Sequence, residues 1–460
     1  MTTTTVEPPA AAVTSAPPSR ARWIDDWRPE DAAFWEATGA RVARRNLILS
    51  ILSEHIGFCV WSMWSAFVLF LGPEYGLDPS QKFLLTTLPT AVGAVLRLPY
   101  TFAVAKLGGR NWTIVSAALL LVPSVFAAFV LRPGVSFSTL LVAAALAGVG
   151  GGNFSSSMAN IDAFYPQRLK GWALGLNAGG GNIGVAAVQL VGLAVLATAG
   201  AAHPRLILAV YIPLIVVATA GAALFMDNLT HATNEKRAMR EVVRDRHSWI
   251  IAFLYIGTFG SFIGFGFAFG QVLQVQFGDT FNTPMRVAGL TFLGPLLGSL
   301  FRPFGGRLAD RHGGSRVTAL TFTGMAAGGT LVLVASIVES LALFLLGFVT
   351  LFVLTGIGNG SVYKMIPAIF RAKAALAVAS GIDAHEADRR ARRSSRALIG
   401  IAGAIGALGG VGVNLALRQS FLSNGSGDAA YAGFIAFFVV CLVVTWAAYL
   451  RPSANRLAGV

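Results

Sequence analysis

Charge is scarce in this chain. Asp, Glu, Lys and Arg make up 12% of its 460 residues, against about 25% in an ordinary soluble domain. So few polar groups cannot clothe a soluble protein of this length, and apolar runs long enough to span a bilayer recur along nearly all of it. Cysteine is scarcer still. Cys59 and Cys441 are the only two, and both sit in apolar runs. They read as buried thiols, which excludes a disulfide framework and a cysteine metal site. The 6 histidines form no His-x-x-His or Glu-x-x-His pair, so the metal or acid–base cluster of a membrane-embedded enzyme is missing and no cofactor or metal is expected. No Walker A sequence occurs, which argues against ATP-driven transport. A hydrophobic content of 55% and a mean hydropathy of +0.66 also exclude a disordered, collagenous or coiled-coil chain.

What remains is a polytopic helical membrane protein. Twelve apolar spans are expected at roughly 46–71, 82–106, 112–131, 136–163, 171–198, 205–226, 248–277, 285–306, 316–337, 339–368, 397–421 and 429–450. Each is long enough for about 30 Å of hydrocarbon. The 52 glycines suit close helix packing in lipid. Residues 1–45 read as a Thr/Pro/Ala-rich tail without a signal-peptide core, then an interfacial segment anchored by Trp23, Trp27 and Trp35. The six-helix bundles are expected at 46–226 and 248–450, with a polar linker at 227–247 and a tail at 451–460. The net charge of +14 does not point to nucleic acid, because its distribution is topological. Of the 35 Lys and Arg, 27 fall on the side that carries the termini, five on the opposite side and three inside spans. That asymmetry places both termini in the cytoplasm of an inner-membrane protein. The segment 369–396 reads as the longest and most basic loop, solvated near anionic headgroups.

The two halves carry related text. Gly93, Arg97, Pro99 and Gly108-Gly109-Arg110 in span 2 match Gly298, Arg302, Pro303 and Gly305-Gly306-Arg307 in span 8. Residues 175–184 (GLNAGGGNIG) and 400–410 (GIAGAIGALGG) correspond likewise in spans 5 and 11. Two parallel six-span repeats are the architecture of the major facilitator superfamily, with the substrate held between the halves at the midplane.

Arg97 and Arg302 are the sharpest feature. An arginine at a helix centre costs from about 2.5 to more than 10 kcal/mol, depending on how it is measured. Snorkelling suits Lys106, Arg110 and Arg307 at span ends but not Arg97 in mid-span. Acids inside spans are few, namely Glu54 and, near a span end, Asp162, so a structural salt bridge cannot neutralise both arginines. Two guanidinium forks suit a small planar oxyanion. Either Asn177 or Asn182, five residues apart and so about 140° apart around a helix, is placed to donate to it. Tyr255 and Phe259, one turn apart in span 7, read either as core or as an aromatic wall with a hydroxyl donor, and Phe154 as the facing wall.

The same residues carry a resemblance. The stretches WRPEDAAFW, LRLPYTFAVAKLGGRNWT, GGNFSSSMANIDAFYP, GLNAGGGNIG, YIGTFGSFIGF and GAIGALGG resemble the nitrate/nitrite porter family, the NarK-like branch of the major facilitator superfamily, over essentially the whole chain after residue 20. The resemblance implies nitrate and nitrite as substrates. It puts the clamping arginines at Arg97 and Arg302, and the aromatic and hydroxyl contacts at Tyr255, Phe259 and Phe154. The amide falls on Asn177 or Asn182, and the span-11 backbone approach near Gly403 and Gly406. Composition and spacing alone reach only a small anion.

Coupling is open at this level. At an effective dielectric of about 20, two guanidinium groups 6–8 Å apart repel by about 2–3 kcal/mol, so a bound anion lets the halves close; that favours nitrate/nitrite exchange. Glu54-His55 inside span 1 reads either as a structurally bonded pair or as a proton-coupling site for symport. Lys364 pairs with Glu54, snorkels, or adds to the anion's field. Arg110, Arg307, Asp310 and Arg311 match the superfamily's gating loops, with Asp310 as the acid that would latch a gate between Arg307 and Arg311; plain topology-setting charge is the other reading. Expected partners are nitrate, nitrite, protons and lipid, with a monomeric assembly. Transport of another small anion and drug/proton antiport are the alternatives, the latter calling for acids rather than arginines at the midplane.

Overall fold

A computed structural model of the chain describes residues 22–230, 236–452, 457, 459 and 460. The tail at 1–20 and part of 451–460 lie outside them. Among the described residues, 12 helices are long and apolar enough to cross a membrane. They are α1 (Ala32–Phe70), α2 (Pro79–Leu107), α3 (Gly109–Val130), α4 (Phe137–Phe164), α5 (Gln167–Ala199), α6 (Arg205–Phe225), α7 (Arg246–Gln276), α8 (Pro284–His312), α9 (Gly314–Ile337), α10 (Leu341–Ala379), α11 (Ala384–Asn424) and α12 (Asp428–Leu450). A linker helix, Lys236–Arg244, lies between α6 and α7.

Two expectations are corrected, for one physical reason. Charge marks where the membrane ends, not where a helix ends. The supposed basic loop at 369–396 is helical except around 380–383. Its Ala-rich text extends α10, and Asp383 then caps α11 by accepting from the His385 amide at 2.9 Å. The supposed interfacial helix before residue 46 is the first part of α1 itself, capped by Asp31, which accepts from the amides of Ala33 and Phe34 at 3.0 and 3.2 Å. Only the preceding residues are separate. Trp23–Ile24 form a short strand, β1, paired in parallel with β2 (Asn228–Leu229) after α6. Trp27 donates to the Phe164 carbonyl at 3.2 Å and Glu30 accepts from the Gln167 amide at 2.9 Å. This segment is a strap across the ends of α4, α5 and α6.

The sequence repeat is a structural repeat. Gly108 and Gly313 turn the chain from α2 into α3 and from α8 into α9 with nearly the same backbone, φ 87° ψ 148° and φ 89° ψ 137°. Both lie in the region that L side chains avoid. They are as far apart in sequence as Arg97 and Arg302, 205 residues. The halves meet along two equivalent seams, α2 with α11 and α5 with α8.

On the face opposite the termini the seams are closed. Thr86 donates to Asn414 at 3.0 Å, Gln271 to the Lys82 carbonyl at 3.2 Å, and Gln189 to the Gly266 carbonyl at 2.9 Å. Trp61 and Phe267 meet edge to face at 5.4 Å. Inside the first half, α1 and α4 approach so closely that a methyl group on Gly150 would fall on the carbonyl oxygen of Gly57. Gly150→Ala should therefore cost about 1–3 kcal/mol and lower the melting temperature of the purified protein. Gly179→Ala, where nothing stands within 4 Å of the new carbon, should leave it unchanged or slightly higher. Equal melting curves for the two variants would contradict this packing.

Candidate anion-binding site

The two arginines occupy repeat-related places beside prolines inside their helices. Pro99 in α2 and Pro303 in α8 lack the amide that would complete the turn. Both side chains are buried, Arg97 completely and Arg302 to 5% exposure. Arg97 donates from Nε to the Gly151 carbonyl at 3.1 Å and from Nη1 to the Gly403 carbonyl of α11 at 2.7 Å. Its guanidinium carbon stands 4.7 Å from the Phe154 ring centre, 4.9 Å from Phe259 and 5.1 Å from Trp61. Arg302 donates to the Tyr255 hydroxyl at 3.2 Å and stands 5.3 Å from the Tyr363 ring centre. One terminal nitrogen of each, Nη2 of Arg97 and Nη1 of Arg302, is buried without a hydrogen-bond partner. A buried donor left unmatched costs about 1–3 kcal/mol, so both are set to receive an acceptor.

The aromatic walls are real contacts. Tyr255 and Phe259 stack at 5.1 Å with 6° between their planes, and Phe259 stacks on Phe154 at 6.2 Å. A single wide turn at Ile256–Gly260 separates α7 into two α-helical parts at this level, a device common where a helix re-aims side chains at a site. Gly403 faces Phe154 and Arg97, and Gly406 lies against the Tyr255 ring. A Cβ at Gly406 would clash with that ring, whereas one at Gly403 would rest in ordinary contact with Phe154 and Arg97.

The polar residues separate. Glu54 is fully buried. Its Oε2 accepts from Asn177 Nδ2 at 2.6 Å, and its Oε1 has no partner. Ser157 of α4 donates to Asn177 Oδ1 at 2.9 Å. Asn182, also fully buried, has neither amide atom hydrogen-bonded. His55 does not form a bonded pair with Glu54. One residue further round the helix, it turns to the Gly180 carbonyl at 2.9 Å.

Lys364 is not a deep cation. It bonds Asp310 at 2.8 Å, with its side chain 39% exposed, because α10 runs on past it toward the face that carries the termini. The latch expected between Asp310 and its neighbours is thus an α8–α10 tie within one half. Arg307 and Arg311 are exposed, and Arg110 caps α6 through the Ala223 carbonyl at 2.7 Å. Among the described residues, an ion pair that does bridge the halves on this face is a different one. Asp162 of α4 binds Arg396 of α11 and also Lys170, the latter at 3.2 Å. It stands in a cleft of about 450 Å³ between α2, α4 and α11, whose lining includes Thr101, Ser155 and Gly400 and which reaches Phe154 at the site.

Known proteins agree with this architecture. The family model described as Major Facilitator Superfamily matches residues 51–384. The nitrate/nitrite transporter NarU of Salmonella typhimurium is 37% identical, over 94% of this chain and 97% of its own. The chain belongs to the major facilitator superfamily and, within it, to the nitrate/nitrite porter family. A further member of the family, the probable nitrate/nitrite antiporter NarK2 of Thermus thermophilus, is 34% identical over 76% of this porter and 84% of its own chain. A D-xylose–proton symporter structure matches 88% of the porter and 97% of its own chain with a TM-score of 0.63 at 14% identity, which speaks for the fold alone.

Tyr363, Trp61 and the Asp162–Arg396 bridge of this porter were missed by reading the sequence. A third repeat would have exposed Tyr363. Gly150-x-Gly152-Asn153 and Gly356-x-Gly358-Asn359 align α4 with α10 and set Tyr363 opposite Ser157. The bridge predicts a measurable behaviour. Asp162→Asn should open the cleft, so that a cysteine placed at Ser155 reacts with a membrane-impermeant maleimide several times faster than in the parent protein. The native Cys59 and Cys441 are buried and should stay silent. An unchanged labelling rate would remove the bridge from any gating role.

Proposed function

We propose that this porter carries nitrate and nitrite across the cytoplasmic membrane by alternating access, as a monomer with both termini in the cytoplasm. The observation that carries the reading is the pair of repeat-related arginines, one from each half, each with an unmatched buried N–H. The names of the relatives supply the identity of the anion. A planar oxyanion between Arg97 and Arg302 offers acceptors in the plane of both forks, and its faces suit the flat rings of Phe154 and Phe259. The halves, α1–α6 and α7–α12, rock about this point. The contacts opposite the termini hold the outer side shut, while the cleft, closed by Phe154 and the Asp162–Arg396 pair, leads to the cytoplasm. Another small anion fits the two forks less specifically, and a drug/proton antiporter would present acids where these arginines stand.

Glu54 bears on the coupling. Its carboxyl group joins Asn177 in the same buried network and interacts electrostatically with both arginines. That position leaves two modes, proton-coupled nitrate symport with Glu54 as the carrier and nitrate/nitrite exchange with Glu54 as a structural acid. Purified protein in liposomes tests both levels. Arg97→Lys and Arg302→Lys keep a positive charge but lose the fork, and each should cut nitrate uptake at least tenfold. Wild-type uptake in both would overturn the assignment of the site. Glu54→Gln should abolish uptake driven by an inward proton gradient into vesicles without nitrite, yet spare uptake into nitrite-loaded vesicles. If wild-type protein takes up nitrate only against internal nitrite, the porter is an exchanger and Glu54 is structural.

A further inference from the structure

We propose that the groove between α1 and α6, at the membrane face that carries the termini, binds an anionic phospholipid. Arg41, Arg44, Arg45 and Ile48 share one side of α1 at the i, i+3, i+4, i+7 spacing. With Leu49 and Phe225 they line a groove of about 570 Å³. Its two ends differ in chemistry. The end near the termini is basic. Ile48 and Phe225, 55% and 52% exposed, make the other end apolar. Arg41 and Ile48 are two helical turns apart, about 11 Å along the axis, a step that takes in a lipid phosphate, its glycerol and the first carbons of its acyl chains.

The acid beside the groove is already engaged. Asp227 binds Arg45, accepts from Asn46 at 3.3 Å and lies 3.6 Å from Arg22. Arg45 Nε is nonetheless buried without a partner. Arg41 and Arg44 are exposed and make no ion pair among the described residues. Asp162, Asp245, Asp310, Glu241 and Asp388, by contrast, each hold a basic side chain elsewhere on this face. Two unneutralised guanidinium groups fixed on a helix, above an apolar groove that continues into the membrane, match a phosphate that carries acyl chains. A zwitterionic lipid brings its own ammonium to the same place, and free phosphate leaves the apolar end unused.

The test is native mass spectrometry of the purified full chain in detergent, titrated with phosphatidylglycerol, phosphatidylcholine or inorganic phosphate. The wild type should hold phosphatidylglycerol at least tenfold more tightly than phosphatidylcholine. The double variant R41Q/R44Q should lose most of that preference, and R371Q/R389Q, which removes two exposed arginines elsewhere, should keep it. Ile48→Trp retains the charge and fills the groove, so it should also weaken phosphatidylglycerol; this separates a built site from general attraction. Equal retention of the two lipids, an unaltered preference in R41Q/R44Q with I48W likewise unaltered, or displacement of phosphatidylglycerol by millimolar inorganic phosphate would each overturn the proposal.

Discussion

Two guanidinium groups stand between the halves of a membrane protein, where water cannot solvate them, and their neighbourhood is built around that cost. Arg97 is held by two backbone carbonyls and three ring faces, and Arg302 by a hydroxyl and a fourth ring. These contacts are individually modest. A cation–π contact is worth about 0.5–2 kcal/mol and a hydrogen bond from a charged group about 1.5–3 kcal/mol. Together they offset a penalty that one such contact could not. The partners are neutral or polarisable almost throughout, so the arginines are stabilised without being neutralised. Positive potential is left at the seam, which is what a site for a mobile anion requires.

Two of the glycines serve the same demand: Gly151 and Gly403 supply the two backbone carbonyls that Arg97 uses. Gly151 belongs to the half that holds Arg97 and Gly403 to the other. The bond to Gly403 therefore ties Arg97 directly to the relative position of the halves. Any shift between α2 and α11 alters the number of partners that Arg97 has, while its unmatched Nη2 stays free for an acceptor.

How much of this was legible beforehand depended on whether a signal was local. The twelve spans, the repeat, the paired arginines and the aromatic neighbours were readable, because each is written in a run of apolar text or a short motif. The ends of α1, α10 and α11 were not, because helical propensity continues through charged text such as 384–396 once the chain has left the bilayer. Lys364 was misread for a related reason. Counting residues from an assumed span end put it deep, whereas the longer α10 brings it to Asp310 near the surface. The pairing of Asp162 with Arg396, 234 positions further on, has no local signature; it exists only because α4 and α11 face one another across the seam. Glu54 and His55 show the limit of adjacency as evidence: neighbours on a helix point about 100° apart, so they serve different partners.

The charges at the seam also bear on how an anion can pass. Arg97 and Arg302 contribute two positive charges, and an ionised Glu54 subtracts one. A monovalent anion then brings the buried cluster to neutrality, the state in which closing low-dielectric walls around it costs least. With Glu54 protonated, the same loaded cluster keeps one positive charge. The carboxyl group is therefore placed to set the charge at which the site closes, and Asn177, bonded to it and to Ser157, links that charge to the helix carrying Phe154. The Asp162 cluster near the termini differs in kind. It lies in the cleft, with two cations for one acid and the Arg396 side chain 47% exposed. The deep cluster is enclosed by aromatic rings, whereas the shallow one opens to the cleft.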